Sequence, residues 1–453
     1  MTLALFQKSY FLSLFTILAF QAEVAFAQDE AASARVQATE FESSSSSEAT
    51  QTSAVQTSVA VAPEKTKSFP EFSYTSYGYM TFTQRETFRS VANLDPYVKR
   101  ALDLNEFAFE GTYKLNDHAK IEFEVEFEHG GVGSTMEYDP FEEFGEFEQE
   151  IEKGGEVVLK EVYYVKDFAK TNSQLKVGKF PLFISLGSVL TKPHRYPSII
   201  ASDVEARMIP YSWNEMGIQV QQKMFGFLTA RAALVSGLNS EFFRTYNWVG
   251  GGYQRHFEYN NADNLATLIN LEFGDLKKAK GFALSYYSGN TTDNRHKLGK
   301  VSVEAEVKIL SAMTNYKYRG FGIAAQVLRG ELQNSDLVVL GNATLGGLAK
   351  PKAFAPLGHK AELESLQISY DFTPDFTFFV KGEHVNTFAD VQGSVNKNPR
   401  YDVSTRSAGL MWFWDQAAFM KAEYLRERTE LLGLPETYQA SLSFGFDLDK
   451  FKQ

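Results

Sequence analysis

The stretch YQASLSFGF, residues 438–446, alternates apolar and small polar residues and ends in aromatic side chains. Because successive side chains of a β-strand point to opposite faces, this period of two gives the strand one apolar face and one polar face. The stretch therefore predicts a strand that separates an apolar medium from water. Fifteen segments with a similar pattern precede it in the chain.

The connections between these segments alternate in length. Short connections at 115–118, 224–225, 372–375 and 414–416 are interleaved with long ones at 129–155, 181–212, 237–263, 333–360 and 387–402. Short turns at the periplasmic end and long loops outside are typical of a transmembrane β-barrel, whereas a soluble β-sandwich has no reason to keep every second connection long. We predict an all-β, antiparallel transmembrane barrel of about sixteen strands. The predicted strands are 72–84, 103–115, 119–128, 156–167, 174–180, 213–223, 226–236, 264–274, 279–288, 301–316, 320–332, 361–372, 375–386, 403–414, 417–428 and 436–447.

The residues before the barrel predict export. Lys8 precedes an apolar run at 10–20, and Ala25-Phe26-Ala27 matches the small-residue pattern before a signal peptidase site, so 1–27 is predicted to be a cleaved signal peptide. Residues 28–70 are rich in Ala, Ser, Thr and Glu, which predicts a disordered, low-complexity periplasmic linker. The barrel domain is expected over 71–453, in the outer membrane of a Gram-negative cell.

The composition is consistent with such a barrel and excludes several classes of function. The chain holds 39 Phe, 22 Tyr and 4 Trp, enough aromatic residues for the girdles that barrels place at both membrane interfaces. It has no cysteine, which excludes disulfides, thiol catalysis and thiolate ligation of a metal. A net charge of -11 argues against nucleic acid as a partner, because neutralising phosphates requires clustered Lys and Arg.

Carboxylates at alternate positions indicate a water-filled interior. In the stretch KIEFEVEF, residues 120–127, the apolar side chains are expected to face lipid, so the glutamates between them share the inner face. Carboxylates about 7 Å apart along a strand must be in contact with water, and about sixteen strands leave room for it. The same alternation recurs at 303–309, 365–370 and 421–424. The acidic residues predicted to line the lumen are Glu122, Glu124, Glu126, Glu304 and Glu306.

The candidate constriction lies between Gln174 and Trp213. A short strand ends near Pro181, and a long loop over 181–212 follows it, stiffened by further prolines. A loop that folds into the lumen would oppose its basic side chains to the glutamates, and opposed charges in a narrow pore set ion selectivity. The alternative is a loop that covers the outer mouth with its charges in solvent. The basic residues predicted to line the constriction are Lys176, Lys179, Lys192, Arg195 and Arg207.

These residues also suggest a family. KVGKFPL at 176–182, after EVYYV at 161–165, resembles the strand pair before the constriction loop of Gram-negative general porins and phosphate-selective (O and P type) porins. The stretch LSFGF at 442–446 looks like the assembly signal of such barrels, although seven residues follow it here. The resemblance implies a trimeric channel for passive diffusion of small hydrophilic solutes and ions, without a cofactor, in contact with membrane lipids and lipopolysaccharide. The lumenal arginine ladder of phosphate-selective members is missing.

Other functions remain open on the sequence. The seven histidines are scattered and none lies in a recognisable nucleophile motif, so we do not expect an enzyme. An adhesin or structural surface barrel is the main alternative, because the long loop that begins at Asn334 contains an apolar run, 337–340, that could contact a partner or form a gate. The acidic loop 129–155 could repel anions or bind a divalent cation, but it has no regular calcium-loop pattern, and we predict no metal site.

Overall fold

The computed structural model describes residues 69–90, 93–129, 157–243, 246–254, 260–343, 345 and 356–449. The predicted signal peptide, most of the predicted linker and nearly all of the acidic loop lie outside the described residues, and what we infer about them stays a prediction. Within the described part of the chain, no helix has both the length and the apolar character needed to cross a membrane.

Sixteen antiparallel strands close into one barrel, in which sequence neighbours pair and the first strand pairs with the last. The predicted fold class and strand number are confirmed, and each predicted strand overlaps one observed strand. The strands are β1 Glu71–Ser90, β2 Asn93–Asn116, β3 Ala119–Glu128, β4 Val157–Phe168, β5 Ser173–Pro181, β6 Asn214–Met224, β7 Leu228–Val235, β8 Ala266–Asp275, β9 Lys280–Asn290, β10 Glu306–Tyr318, β11 Phe321–Leu332, β12 Lys360–Thr373, β13 Phe376–Asp390, β14 Asp402–Phe413, β15 Ala418–Thr429 and β16 Thr437–Asp447.

The connections at one end of the barrel are all short, as predicted, and those at the other end are longer except between β1 and β2, where only two residues separate Ser90 from Asn93. Tight turns such as 374–375 and 414–417 join strands at one end, which we call the turn end; β1 begins and β16 finishes there as well. The long connections lie at the other end, the loop end. Among the described residues of these connections, two short α-helices occur, α1 at Leu186–Val189 and α2 at Ser335–Ala343.

The outer face changes character along the barrel axis. Toward the turn end it carries a ring of exposed aromatic side chains, and the next outward positions, such as Ile323 and Val327, are exposed aliphatics. Toward the loop end it carries ion pairs instead, among them Arg329–Glu362 at 3.6 Å and Arg426–Glu436 at 2.5 Å. An apolar band that ends in a charged rim matches a hydrocarbon layer bounded by a polar region. The aromatic ring includes Phe225, Phe227, Phe273, Phe282, Tyr316, Tyr318, Phe321, Phe372, Trp412 and Trp414.

Strand β10 faces the opposite way from the prediction. Val307 and Ile309 are fully buried toward the interior, whereas Glu306 forms a 2.9 Å ion pair with Lys308 on the outer face. Glu304 precedes the strand and is exposed. The prediction that Glu304 and Glu306 line the lumen is therefore wrong. Alternation reveals two faces but does not identify the inner one, and here the inner face meets an apolar cluster.

That cluster fills part of the interior at the loop end. Trp213 and Trp248 are buried in it together with inward side chains of β10 and β11. Val338 of α2 is fully buried in the same cluster, while Leu340 remains exposed. The apolar run 337–340 is thus a helix that packs one side into the barrel. Water is consequently confined to the remaining part of the lumen.

Glycine is required at position 178 of β5, where φ is +134° and a Cβ would lie 2.4 Å from the Val162 carbonyl oxygen. We expect Gly178→Ala to destabilise the barrel by the clash and by backbone strain of about 1–3 kcal/mol. The folded fraction in urea, read from the heat-modifiable mobility on a gel, measures this loss. Gly382→Ala is the control, because nothing lies within 4 Å of a Cβ there; equal losses in the two variants would contradict the prediction.

Candidate pore and its infolded loop

The long connection between β5 and β6 lies inside the barrel. Most of its side chains from Leu182 to Trp213 are buried, and they contact inward side chains of β11, β13 and β15. Of the two arrangements considered for this loop, the structure shows the one that enters the lumen. Polar contacts to several strands set its position.

A buried ion-pair cluster holds the middle of the loop. Lys381 Nζ on β13 lies 2.6 Å from Asp203 Oδ2, 3.8 Å from Glu383 Oε2 and 3.7 Å from Glu423 Oε1. The two glutamates also accept hydrogen bonds from the loop backbone, Glu423 from the Ile199 amide and Glu383 from the Asp203 amide, both at 2.8 Å. Each of these buried charges therefore has a partner in the loop or beside it, as burial requires.

Two further contacts fix the loop on either side of this cluster. Lys421 Nζ of β15 donates to the carbonyl oxygens of Tyr196 at 2.9 Å and Ser198 at 2.8 Å. Near α1, Glu205 accepts hydrogen bonds from Ser185 Oγ at 2.7 Å and from the Gly187 amide at 3.1 Å, and burial raises the pKa of Glu205. These contacts hold this part of the loop against β11, β13 and β15.

The basic residues predicted for the constriction separate into different places. Lys192 Nζ lies 2.6 Å from Glu110 Oε2 and 3.0 Å from Asp449 Oδ2, near the turn end. Arg195 lies 3.8 Å from the same Asp449 carboxylate. Arg207 is at the loop end, 2.6 Å from Glu427. The sequence thus identified the cations of the loop but not that two of them pair beside the C-terminal end of β16.

Lys176 and Lys179 lie on the same strand in different surroundings. Lys176 faces the interior with its ammonium 4.5 Å from the centre of the Tyr163 ring. Lys179 Nζ donates to the Leu159 carbonyl oxygen at 3.0 Å.

A β-bulge in β4 brings an unpredicted lysine to the inner face. Glu124 of β3 pairs with Glu161, but the next residue, Val125, pairs with Leu159, so Lys160 is the extra residue. A bulge interrupts the alternation of side chains, and here Lys160 and Glu161 both line interior cavities. Alternation along the sequence carries no signal for such an insertion.

Lys160 supplies a counter-charge to the acidic wall, of which the sequence predicted Glu124 and Glu126. Its Nζ lies 3.5 Å from Glu106, 3.2 Å from Glu124 and 3.3 Å from Glu126. The three carboxylates approach within 4.8 Å of one another, close enough to hold a metal ion, but the ammonium group already supplies the positive charge there. Glu122 pairs instead with Lys120 at 2.5 Å.

Two cavities lie along the wall formed by β2, β3 and β4. The inner cavity, of about 760 Å³, is toward the turn end and is lined by Glu124, Glu161 and Lys176 among others. The outer cavity, of about 500 Å³, is toward the loop end and is lined by Glu126 and Lys160. Thr191 of the loop lines both cavities. The two spaces therefore approach each other where the loop faces the bulged wall.

Comparison with known proteins shows the fold. No family model matches the chain, and no curated protein matches it in sequence. A high-pH structure of Pseudomonas putida OprB matches with 9% identity and a TM-score of 0.50, over 83% of this chain and 94% of that one. Salmonella typhi OmpF in complex with daunomycin (9% identity, TM-score 0.49, 83% and 98% covered) and an anion-selective porin from Comamonas acidovorans (9%, 0.48, 83% and 100%) are also similar. The likeness identifies a β-barrel of the outer-membrane type.

Loss of the Lys381 ammonium should release the loop. Lys381→Gln leaves three carboxylates without their counter-ion, and breaking a buried ion pair costs about 3–5 kcal/mol. We expect trypsin to cleave the variant after Arg195 or Arg207 much faster than the wild type, as measured by mass spectrometry of the protein in detergent. Lys308→Gln on the outer face is the control; equal protection of the loop in both variants would contradict this role.

Anchoring should also depend on pH through Asp203. Burial, together with Glu383 and against the opposing effect of Lys381, raises the pKa of Asp203 to about 6 from 3.8. The anchored loop therefore binds a proton more tightly than a released one, so anchoring weakens as pH rises through about 6. A spin label on Ala206→Cys, in a chain without other cysteines, should become more mobile as the pH rises through about 6. Asp203→Asn should remove the pH dependence, and a transition that persists in this variant would assign it to another group.

Proposed function

We propose that the chain is an outer-membrane porin, a channel through which small hydrophilic solutes and ions diffuse passively. The observation that carries the proposal is the pair of charged cavities that approach each other beside Thr191 inside a closed barrel. A barrel of sixteen strands is wide enough for an aqueous lumen, and only part of this lumen is filled by the loop and the apolar cluster. No energy source is needed for movement down a gradient.

The orientation follows from the outer face and the connections. In the proposed arrangement the turn end lies in the periplasm and the loop end outside the cell. The aromatic ring then lies at the periplasmic interface, and the ion pairs of the outer face lie among the head groups and sugars of lipopolysaccharide. The predicted signal peptide and linker are consistent with this location.

The path of the solute would follow the bulged wall. Glu126 and Lys160 of the outer cavity and Glu124 and Glu161 of the inner cavity lie on one side, and loop residues 187–191 lie on the other. Both signs of charge occur along this wall, so a solute that carries dipoles or charges would be oriented as it passes. This wall, rather than the basic residues of the loop, is the proposed constriction.

A homotrimer is part of the proposal. On the outer face of β1–β3 and β16, aromatic rings form a continuous patch, with Tyr74 and Phe109 5.5 Å apart and Phe107 and Phe446 6.2 Å apart. A rigid aromatic patch of this kind is suited to burial between subunits. The adhesin alternative has less support, because its candidate apolar run lies in α2, and one side of this helix is buried in the interior of the barrel.

Planar-bilayer recording tests the channel. Purified protein should produce stepwise conductance, and Thr191→Trp should lower the conductance of each step by about half or more, because pore width limits ion flow. Thr314→Trp, at an outward position of β10, is the matched control and should leave the steps unchanged. Absence of steps from folded wild-type protein would refute the channel, and unchanged steps in Thr191→Trp would refute the proposed path.

A further inference from the structure

The turn between β8 and β9 folds into the barrel instead of projecting from it. Leu276 in this turn is fully buried and packs in an apolar cluster with Phe183 and Met313. The Leu276 amide donates to Glu272 Oε1 at 2.8 Å, and Asn315 Nδ2 donates to the Leu276 carbonyl oxygen at 2.8 Å. These contacts fix the turn and place the next residue, Lys277, in the lining of the inner cavity.

Lys277 meets other basic groups around the ring of Phe183. Arg231 Cζ lies 4.0 Å from the centre of this ring and Lys277 Nζ lies 5.5 Å from it. Lys176 of β5 and Arg195 of the loop line the same cavity. The Lys277 side chain is exposed to the cavity, and desolvation by the surrounding protein, together with Arg195 and Lys176, lowers its pKa to about 8. The cations are thus close enough to act on one another.

Several of these cations lack a carboxylate partner. Arg231 is paired with Glu272 at 2.7 Å. By contrast, among the residues that the structure describes, no carboxylate oxygen lies within 4 Å of the ammonium group of Lys277 or of Lys176, whose contact is the Tyr163 ring. Arg195 lies 3.8 Å from the Asp449 carboxylate, but its Nε atom is buried without a hydrogen-bond partner. Positive charge is therefore available at this site for a ligand.

We propose that Lys277, Lys176 and Arg195 form a binding station for small oxyanions in the inner cavity, such as the carboxylates of an organic acid or phosphate. The inference rests on the proposed channel and specifies a class of solute that it would hold. Hydrogen bonds from ammonium and guanidinium groups to an oxyanion are among the stronger ones available in a protein. The station also offsets the repulsion that Glu124 and Glu161 exert on anions in the same cavity.

Blocking of single channels by added anions tests the station. Succinate or inorganic phosphate, added on the side of the turn end in chloride solution, should cause brief interruptions of the wild-type current. Lys277→Gln and Lys176→Gln should each weaken the apparent affinity of the block about tenfold, the loss expected for one charged hydrogen bond. Lys278→Gln is the matched control: Lys278 also lines this cavity from the same turn, but its ammonium group already has a partner in Asp275 at 3.7 Å. Lys277→Arg should retain the block and shows that folding is not the cause.

The pH dependence gives a second readout. Lys277 faces Arg195, Lys176 and Arg231, which lower its pKa, and Glu161, which raises it. Raising the pH through about 8 removes its positive charge, so the block should weaken there in the wild type and not in Lys277→Gln. A stronger block by succinate than by phosphate, or the reverse, identifies the source of the oxyanion and supports the station in either case.

The two proposals can fail separately. Wild-type protein that is folded but does not conduct refutes the channel itself. A conducting channel that neither anion interrupts, or one in which Lys277→Gln and Lys176→Gln are blocked as strongly as Lys278→Gln, overturns the station and leaves the channel standing.

Discussion

The interior of this barrel depends on one buried ammonium group. Lys381 lies among three carboxylates, from the loop and from β13 and β15, and two of those carboxylates also bind loop amides. Removing charges from water is costly, and close pairing with further hydrogen bonds is what offsets the cost. The loop crosses the lumen at this point and is held against β13 and β15, while Lys192 joins it to Glu110 of β2 and cavities remain beside β2–β4. The contacts that anchor the loop therefore also set where open space remains in the lumen.

A departure from regular strand geometry shapes the opposite side of that space. The bulge at Lys160 places a cation among three glutamates that would otherwise repel one another in a confined volume. Regular alternation places Glu161 beside its cross-strand partner Glu124 on the inner face, and the bulge adds Lys160 to that face. The wall is consequently mixed in charge, and its net effect on an ion depends on positions that differ by a single residue along β4.

Charge is distributed unevenly along the axis. Carboxylates and Lys160 face the outer cavity, whereas the inner cavity collects the cations of β5, the loop and the β8–β9 turn. The turn contributes because Leu276 is anchored by packing and by hydrogen bonds, so its neighbour cannot swing out to solvent. Apolar contacts thus determine where a charged group acts. The same principle applies at the loop end, where the apolar cluster sets which face of β10 points inward.

The sequence by itself determined the barrel, its sixteen strands, the alternation of turns and loops, and the inward positions of Glu124, Glu126, Lys421 and Glu423. These features depend on local periodicity, since neighbours in the chain become neighbours in the sheet. Only the tertiary structure decided that Glu306 faces outward, that Lys160 faces inward, and that the loop cations separate toward Glu110, Asp449 and Glu427. Each of those outcomes depends on contacts between residues far apart in the chain, or on one inserted residue. No repeating pattern in the sequence records such contacts, because they form only when the barrel closes and the loop packs inside it.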